Sequence, residues 1–280
     1  MASDLTSPSA VDTGTVPAAG PAGPGASAPA GAILSANGIS VRFGGLQALQ
    51  SVDLHVLRGQ ITGLIGPNGA GKTTMFNVLC GLIAPTEGKV VFDGTTINRW
   101  PPHRRGRAGM ARTFQRLELF TRMSVEDNLV AAWESSHPGA LLGRGRATRK
   151  QKVAEVMELV GLERVANRVA GELPTGLGRL VELGRALCTD PRVLLLDEPS
   201  SGLDHGETQH FSQILQSVVG GRGNGEPAVL LVEHDMALVM QVCSTITVLD
   251  FGRRIAAGTP AEIRADAGVR AAYLGESDVA

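Results

Sequence analysis

The chain lacks an excess of either charge sign, lacks clustered cysteines and lacks any long apolar run, and each shortage removes a class of protein. Its 26 Lys and Arg residues stand against 27 Asp and Glu, a formal net charge of −1, so a global nucleic-acid-binding charge is excluded while a local patch is left open. The 3 cysteines, Cys80, Cys188 and Cys243, form no C-x-x-C. That rules out a disulfide scaffold and a cysteine-rich zinc site and fits a reducing cytoplasm. Apolar runs such as Val193–Leu196 and Ala228–Val232 fall far short of the roughly 18 residues of a membrane span, so the chain is not expected to cross a bilayer by itself.

The first 31 residues contain no Lys, Arg or aromatic residue, and 25 of them are Ala, Gly, Pro, Ser or Thr. Such a segment buries too little apolar surface to offset its conformational entropy. Residues 1–31 are therefore expected to be a disordered tail, and the missing basic n-region and apolar run argue against a secretory signal. Of the whole chain, 43% is hydrophobic and 19% charged. Residues 32–280 are thus expected to build one large or two small globular domains.

Beyond the tail the periodicity changes. Val52, Leu54 and Val56 alternate with Asp53 and His55, and Ile61–Ile65 is an apolar run ending in glycines, which predicts strands. Val153, Val156, Met157 and Val160 recur at helical spacing up to Gly161, and Leu180, Leu183 and Leu187 mark a helix before Asp190-Pro191. Val193–Leu196 and Val229–Val232 read as buried strands, with Phe211, Ile214, Leu215 and Val218 as a helix face between them. Strands interleaved with helices predict a largely parallel α/β sheet.

Between the Ile61–Ile65 strand and the next helix stand Gly66, Pro67, Asn68, Gly69, Ala70, Gly71, Lys72, Thr73 and Thr74, fitting G-x-x-x-x-G-K-[ST]. Glycines let consecutive N–H groups turn inward around phosphate oxygens, and the helix aims its positive end at them. Lys72 is placed to reach the β and γ phosphates and the Thr73 hydroxyl to bind Mg²⁺. A glycine-rich turn with an accidental Lys is the competing reading, but the pattern arises by chance in only about one in a hundred chains of this length.

Asp197 and Glu198 end the Val193–Leu196 strand, where ligands bind in a parallel sheet. Asp197 is a candidate for the Mg²⁺ shell and Glu198 for the general base on an attacking water. An exposed acidic turn before Pro199 is the alternative for Asp-Glu alone. Val232-Glu233-His234-Asp235 repeats the geometry, although a lone His at a strand end is usually structural. Gln115 has no local pattern that marks it, so the residues alone leave it as a surface glutamine.

The ordered set of Gly66–Thr74, Gln115, Leu173–Leu177, Leu196–Pro199, Ser201–Asp204 and His234 resembles the ATP-binding subunits of ABC transporters, from about Ala32 to Leu274. The resemblance implies a P-loop NTPase, RecA-like α/β core with an antiparallel β subdomain and an inserted α-helical subdomain at about 116–187. It implies ATP and Mg²⁺ as ligands, and a pair of such subunits, as homodimer or heterodimer, enclosing two ATP molecules. It also assigns Phe43 to adenine stacking, a buried strand Phe being the alternative, and Gln115 to joining the Mg²⁺ site to the helical subdomain. His234 falls at the γ-phosphate contact, Asp204 at the aspartate that communicates between sites, and Gly176 at the signature that meets the partner's ATP. One motif departs: Leu173-Pro174-Thr175-Gly176-Leu177 stands where the family has Leu-Ser-Gly-Gly-Gln. Pro174 has neither a hydroxyl nor an N–H.

Arg42–Leu46, Gly258–Ile263 and Ala272–Gly275 are similar to the ATPases of branched-chain amino acid importers, with branches moving urea, amides or, outward, lipopolysaccharide as alternatives. The stretch Arg99–Lys152 carries 12 basic and 4 acidic residues. Arg144–Lys152 within it reads first as a solvated face, second as a surface toward anionic lipid or a transmembrane permease. The expectation is a peripheral ATPase at the cytoplasmic face of the cell membrane, with separate permease subunits and no nucleic acid. The rival is a soluble ABC-type ATPase acting on nucleic acid or ribosomes. Such proteins typically carry two cassettes or a long coiled coil, and the 125 positions from Lys72 to Asp197 hold neither. A small-molecule kinase lacks the glutamine, signature and histidine set altogether.

Overall fold

The computed structural model describes residues 29–137, 139, 145–220 and 227–274. Most of the expected tail, Arg144 of the basic cluster and Gly275 of the C-terminal resemblance lie outside them. Strands β1 (Ala32–Phe43) and β2 (Leu46–Leu57) form an antiparallel hairpin whose two-residue turn sets Phe43 opposite Leu46. Gly44 takes φ +57° there, which a bulky residue rarely tolerates. Then come β3 (Ile61–Ile65), α1 (Lys72–Cys80), β4 (Glu87–Phe92), β5 (Thr95–Thr96), α2 (Pro102–Arg107) and β6 (Met110–Arg112). Helices α3 (Val125–Ser136), α4 (Gly145–Val160) and α5 (Thr175–Leu187) follow, and then β7 (Val193–Asp197), α6 (His205–Val219) and β8 (Ala228–Val232). The chain ends with α7 (Met236–Val242), β9 (Thr245–Asp250), β10 (Arg253–Gly258), α8 (Pro260–Ala265) and α9 (Ala267–Leu274).

Two sheets result. One is a 4-stranded antiparallel sheet in the order β2-β1-β4-β5, and the other a 6-stranded sheet in the order β10-β9-β3-β8-β7-β6, parallel except for the β10–β9 edge. The uninterrupted apolar strands follow from burial on both faces. Val193, Leu195, Ala228, Leu230 and Val232 face the core shared with α1 and the antiparallel sheet, whereas Leu194, Leu196, Val229 and Leu231 face the core packed by α3–α7. A side-chain period of two therefore feeds two cores from one run of residues.

Phe211, Ile214, Leu215 and Val218 are buried on one face of α6, and Gly161, at φ +70°, follows the last residue of α4. All three cysteines are free and buried, and burial pushes the Cys80 thiol up to about 11 and those of Cys188 and Cys243 up to about 12. The described part of the basic cluster is a surface face, exposed at Arg146 and Lys150 and ion-paired at two half-buried positions. Arg149 pairs with Glu134 of α3, and Lys152 pairs with Asp190 before β7. Among the described residues no helix is long and apolar enough to cross a membrane.

Candidate functional site

Parallel pairing brings three strand ends together. Leu64 of β3 and Asp197 of β7 both pair with Val232 of β8, so the loop after β3, the acidic pair after β7 and Glu233-His234 after β8 open at one sheet edge, where ligands bind in α/β folds. The loop after β3 winds through left-handed glycines, with φ +152° at Gly66, +77° at Gly69 and +102° at Gly71. A Cβ on Gly66 would lie 2.2 Å from the Leu249 carbonyl, and one on Gly71 2.7 Å from Leu49 and 2.9 Å from the Ala48 carbonyl, while Gly69 has nothing within 4 Å. The loop is thus wedged from behind and open in front. Pro67 and Ala70 are buried in it and Asn68 is exposed.

Lys72, only 8% exposed, donates from Nζ to the Gly66 carbonyl at 2.6 Å and the Pro67 carbonyl at 2.9 Å. These bonds hold its charge inside the curve of the loop. Thr73 is exposed and Thr74 half-buried in the first turn of α1. At the far end of α1, buried Arg105 donates to the Val78 carbonyl at 2.8 Å and the Leu79 carbonyl at 2.6 Å, a cation at the negative pole of the helix whose positive pole faces the loop.

Across the loop, burial and then the Glu198 charge hold the Asp197 carboxyl above the usual range. Its own N–H donates to Thr113 Oγ at 3.4 Å. Glu198 adopts φ +46°, a strained conformation for a non-glycine residue, with its N–H on the Val232 carbonyl at 2.8 Å. Gln115 Nε2 donates to Glu198 Oε2 at 3.0 Å across 83 positions of sequence. The backbone behind Gln115 is clamped by α5. Arg179 donates to the Phe114 carbonyl at 3.1 Å and the Gln115 carbonyl at 2.7 Å, and Glu182 Oε1 accepts from the Phe114 N–H at 3.0 Å. Both are buried and paired with each other at 3.2 Å. Desolvation raises the Glu182 carboxyl, and the Phe114 N–H and Arg179 partly offset it. Arg179 and Glu182 escaped sequence reading. The available signal was a charged pair at i, i+3 on a helix with buried Leu180 and Leu183 beside it.

His234 is exposed, with Nδ1 3.8 Å from Glu233 Oε2. Phe43 is 49% exposed at the hairpin tip. The alternative of a buried strand Phe is therefore overturned, because the residue occupies the last position before a two-residue turn. Its partner strand touches the loop through Ala48 and Leu49.

The signature segment lies elsewhere in the chain's own fold. Pro174 is the N-cap of α5 and makes no side-chain capping bond. The three atoms nearest a Cβ on Gly176 all belong to Glu207, at 2.2–3.1 Å. Glu207 and Asp204 form the capping box of α6, Asp204 accepting from the Glu207 N–H at 2.8 Å and donating its own N–H to Glu207 Oε2 at 3.0 Å. Asp204 therefore also holds a helix start, and Gly176 sits against it through Glu207.

Between α2, β6, α3 and α5 opens a cavity of about 680 Å³, lined by Arg107, Arg112, Phe114, Phe120, Glu182 and Arg185 among others. Arg112 stacks over Phe114 at 4.0 Å and Arg185 over Phe120 at 4.7 Å.

The family described as "ABC transporter" matches residues 49–201, and the one described as "Branched-chain amino acid ATP-binding cassette transporter" matches 253–279. The high-affinity branched-chain amino acid transport ATP-binding protein BraF of Pseudomonas aeruginosa is 41% identical over 254 residues, covering 88% of this chain and 98% of BraF. The solved ADP conformation of MJ1267, an ATP-binding cassette of an ABC transporter, superposes with a TM-score of 0.75 at 30% identity, covering 87% of this chain and 99% of that one. The dimeric post-hydrolysis state of the cassette MJ0796 bound to ADP and Pi gives a TM-score of 0.69 at 25% identity, over 81% of this chain and 98% of that one. The chain belongs to the ABC transporter family, as one of its ATP-binding cassettes.

Proposed function

We infer that the chain is the ATP-hydrolysing subunit of a branched-chain amino acid importer, peripheral at the cytoplasmic membrane face. One observation carries the reading: the phosphate loop, Asp197, Glu198 and His234 converge at one sheet edge, and Gln115 is bonded to Glu198. The amino acid class is supported by the likeness to BraF. ATP lies along Gly66–Thr74 with adenine on Phe43, its phosphates held by the loop N–H groups and by Lys72 once Nζ leaves the Gly66 and Pro67 carbonyls.

Mg²⁺ fits this donor set. Burial and Glu198 push the Asp197 carboxyl up, a condition that a cation relieves. Mg²⁺ is characteristically bound by one or two carboxylates plus substrate phosphates. Thr73, Asp197 and Gln115 would hold it, and when bound it neutralises phosphate charge.

Glu198 takes a proton from the attacking water, the bond from the γ-phosphorus to the bridging oxygen breaks, and ADP and inorganic phosphate form. His234 steadies the γ-phosphoryl oxygens. Gly176 and the start of α5 complete the site of a second cassette, and Asp204 links the two. The helical subdomain, about 116–187, transmits closure through Gln115. The cavity beside Phe114 receives a short helix of the permease, its arginines and aromatic faces suiting a segment with acidic and apolar side chains.

The test uses the assembled transporter in inside-defined vesicles. Glu198→Gln keeps volume and hydrogen bonding but cannot accept a proton. It is expected to bind ATP normally while hydrolysis and ATP-driven leucine accumulation fall about 10²-fold or more. Unchanged hydrolysis in that variant overturns the general-base assignment, and ATP hydrolysis without accumulation of any branched-chain amino acid overturns the substrate class.

A further inference from the structure

Glu233 is the first residue after β8 and is 0% exposed, yet it is a carboxylate. A buried carboxylate is costly unless its oxygens accept hydrogen bonds. Here each oxygen serves a different turn. Oε1 accepts from the Ser200 N–H at 2.9 Å and the Ser200 hydroxyl at 2.6 Å, and Oε2 accepts from the His234 N–H at 3.1 Å and the Asp235 N–H at 3.5 Å. Ser200 lies in the turn that runs from Glu198 to Asp204, where the Ser201 N–H donates to the Glu198 carbonyl at 3.1 Å and the Leu203 N–H to the Ser200 carbonyl at 3.0 Å. On the other side Asp235 caps α7 by accepting from the N–H groups of Ala237 and Leu238, so the turn that Oε2 holds also sets the start of a helix.

The geometry points to Glu233 as a positioning residue for the hydrolytic site: a brace that locks the His234 turn to the Glu198–Asp204 turn. This rests on the reading of His234 and Glu198 given above and adds a residue to it. Only a group with two acceptor oxygens and no donor serves all four partners, because every one of them is an N–H or O–H facing inward. An amide turns one oxygen into a donor that meets a donor, so one turn is released. An exposed histidine at the end of a strand has little else to fix its direction, and its backbone is held from beneath by Glu233. The bonds of Glu233 go to Ser200, His234 and Asp235 rather than to the phosphate loop, and its charge reaches Asp197 as one of the smaller influences there, so affinity for the part of the nucleotide shared by ADP and ATP depends on it little.

The full-length protein in its transporter assembly is compared with Glu233→Gln and Ser200→Ala. Steady-state hydrolysis is measured together with equilibrium binding of MgADP and of a non-hydrolysable MgATP analogue. Glu233→Gln is expected to lower kcat at least tenfold, leave ADP affinity within about twofold, and reduce the preference for the ATP analogue over ADP at least threefold. Ser200→Ala, which loses one of two bonds to Oε1, is expected to lower kcat about threefold with the same pattern. A Glu233→Gln protein with unchanged kcat, or one that loses ADP and analogue affinity equally, overturns the brace. Should Glu233→Gln not fold, Ser200→Ala decides: unchanged kcat and unchanged nucleotide preference overturn the brace. Failure of the site reading is separate, since it shows as absence of hydrolysis in the unmodified assembly.

Discussion

Helices α1 and α5 both begin at segments that the family resemblance assigns to phosphate, and they begin in opposite ways. Helix α1 is entered through Gly71 at φ +102° and ψ +5°, a left-handed residue that bends the loop into the helix, and its first residue is Lys72. Helix α5 is entered through Pro174 at φ −56° and ψ +154°, with no side-chain cap and no N–H of its own. Pro174 and Thr175 are exposed, and the one cation nearby on α5, Arg179, is committed to the Phe114 and Gln115 carbonyls. The first start is a complete anion cradle with a charge in it. The second offers only a helix dipole and free N–H groups, so it can add to a phosphate site but cannot make one.

The same contrast appears in charge balance. Around α5 the acid Glu182 is answered by Arg179 and the Phe114 N–H. Around the phosphate loop burial and the charges of Glu198 and Glu233 raise the Asp197 carboxyl against the pull of Arg112 and Lys72. The acid beside α5 is paired within the chain, whereas Asp197 beside the phosphate loop is crowded by two other acids.

The largest effect should come from emptying the complete cradle. Lys72→Ala removes the point charge nearest the transferred phosphate, and turnover is expected to fall by about 10²–10³-fold or more while MgATP affinity weakens. Assay of purified assembly by phosphate release and by equilibrium dialysis checks both. Turnover within a few-fold of the unmodified rate would mean that Lys72 stays on the Gly66 and Pro67 carbonyls throughout the cycle.

A smaller, opposite effect tests the poorer end. Pro174→Ser restores a hydroxyl at the N-cap of α5, the position where Ser is favoured. If the chain pairs with itself, both composite sites carry the weak start, so the isolated protein should hydrolyse slowly. Pro174→Ser is expected to speed it a few-fold, and a partner cassette with an intact signature should do the same. The Thr175 hydroxyl is the rival donor. An unchanged Pro174→Ser rate together with an inactive Thr175→Ala would transfer the role to Thr175 and remove the asymmetry between the two helices.

The phosphate loop was legible because its physics is local: glycines, lysine and threonine at fixed spacing between a strand and a helix. Strands β2, β3, β7 and β8 were legible, β2 by alternation and the others as short apolar runs buried on both faces, whereas β1, β4–β6, β9 and β10 were not placed. Gln115 was not, since the bond that gives it meaning joins it to Glu198 across 83 positions. It entered through family resemblance alone. Nor was Glu233 legible, because nothing in Val232-Glu233-His234 says that the glutamate points inward to Ser200 rather than outward like its neighbour. Asp204 also entered through family resemblance alone; its capping of α6 with Glu207, and the contact of Glu207 with Gly176, came only with the packing of α5 on α6.

The smallest effect concerns stability and isolates the unanswered charge. A carboxyl whose folded-state pKa lies above its unfolded value favours the protonated form in the folded protein. It contributes nothing in acid and destabilises increasingly as pH rises from the ordinary value of 3.8 through the folded value. For Asp197 burial and the Glu198 charge oppose ionisation more than Arg112 and Lys72 favour it, so the destabilisation grows as pH rises above 3.8. Asp197→Asn keeps the shape and removes the charge. It is therefore expected to melt a few degrees higher than the unmodified chain in chelator at neutral pH, the gap closing as pH falls, while MgATP hydrolysis is lost. Thermal melts of both proteins across a pH series measure this. An Asp197→Asn protein that melts at or below the unmodified temperature would show that the carboxylate is already answered within the fold, and the charge contrast between the two helix starts would then fail.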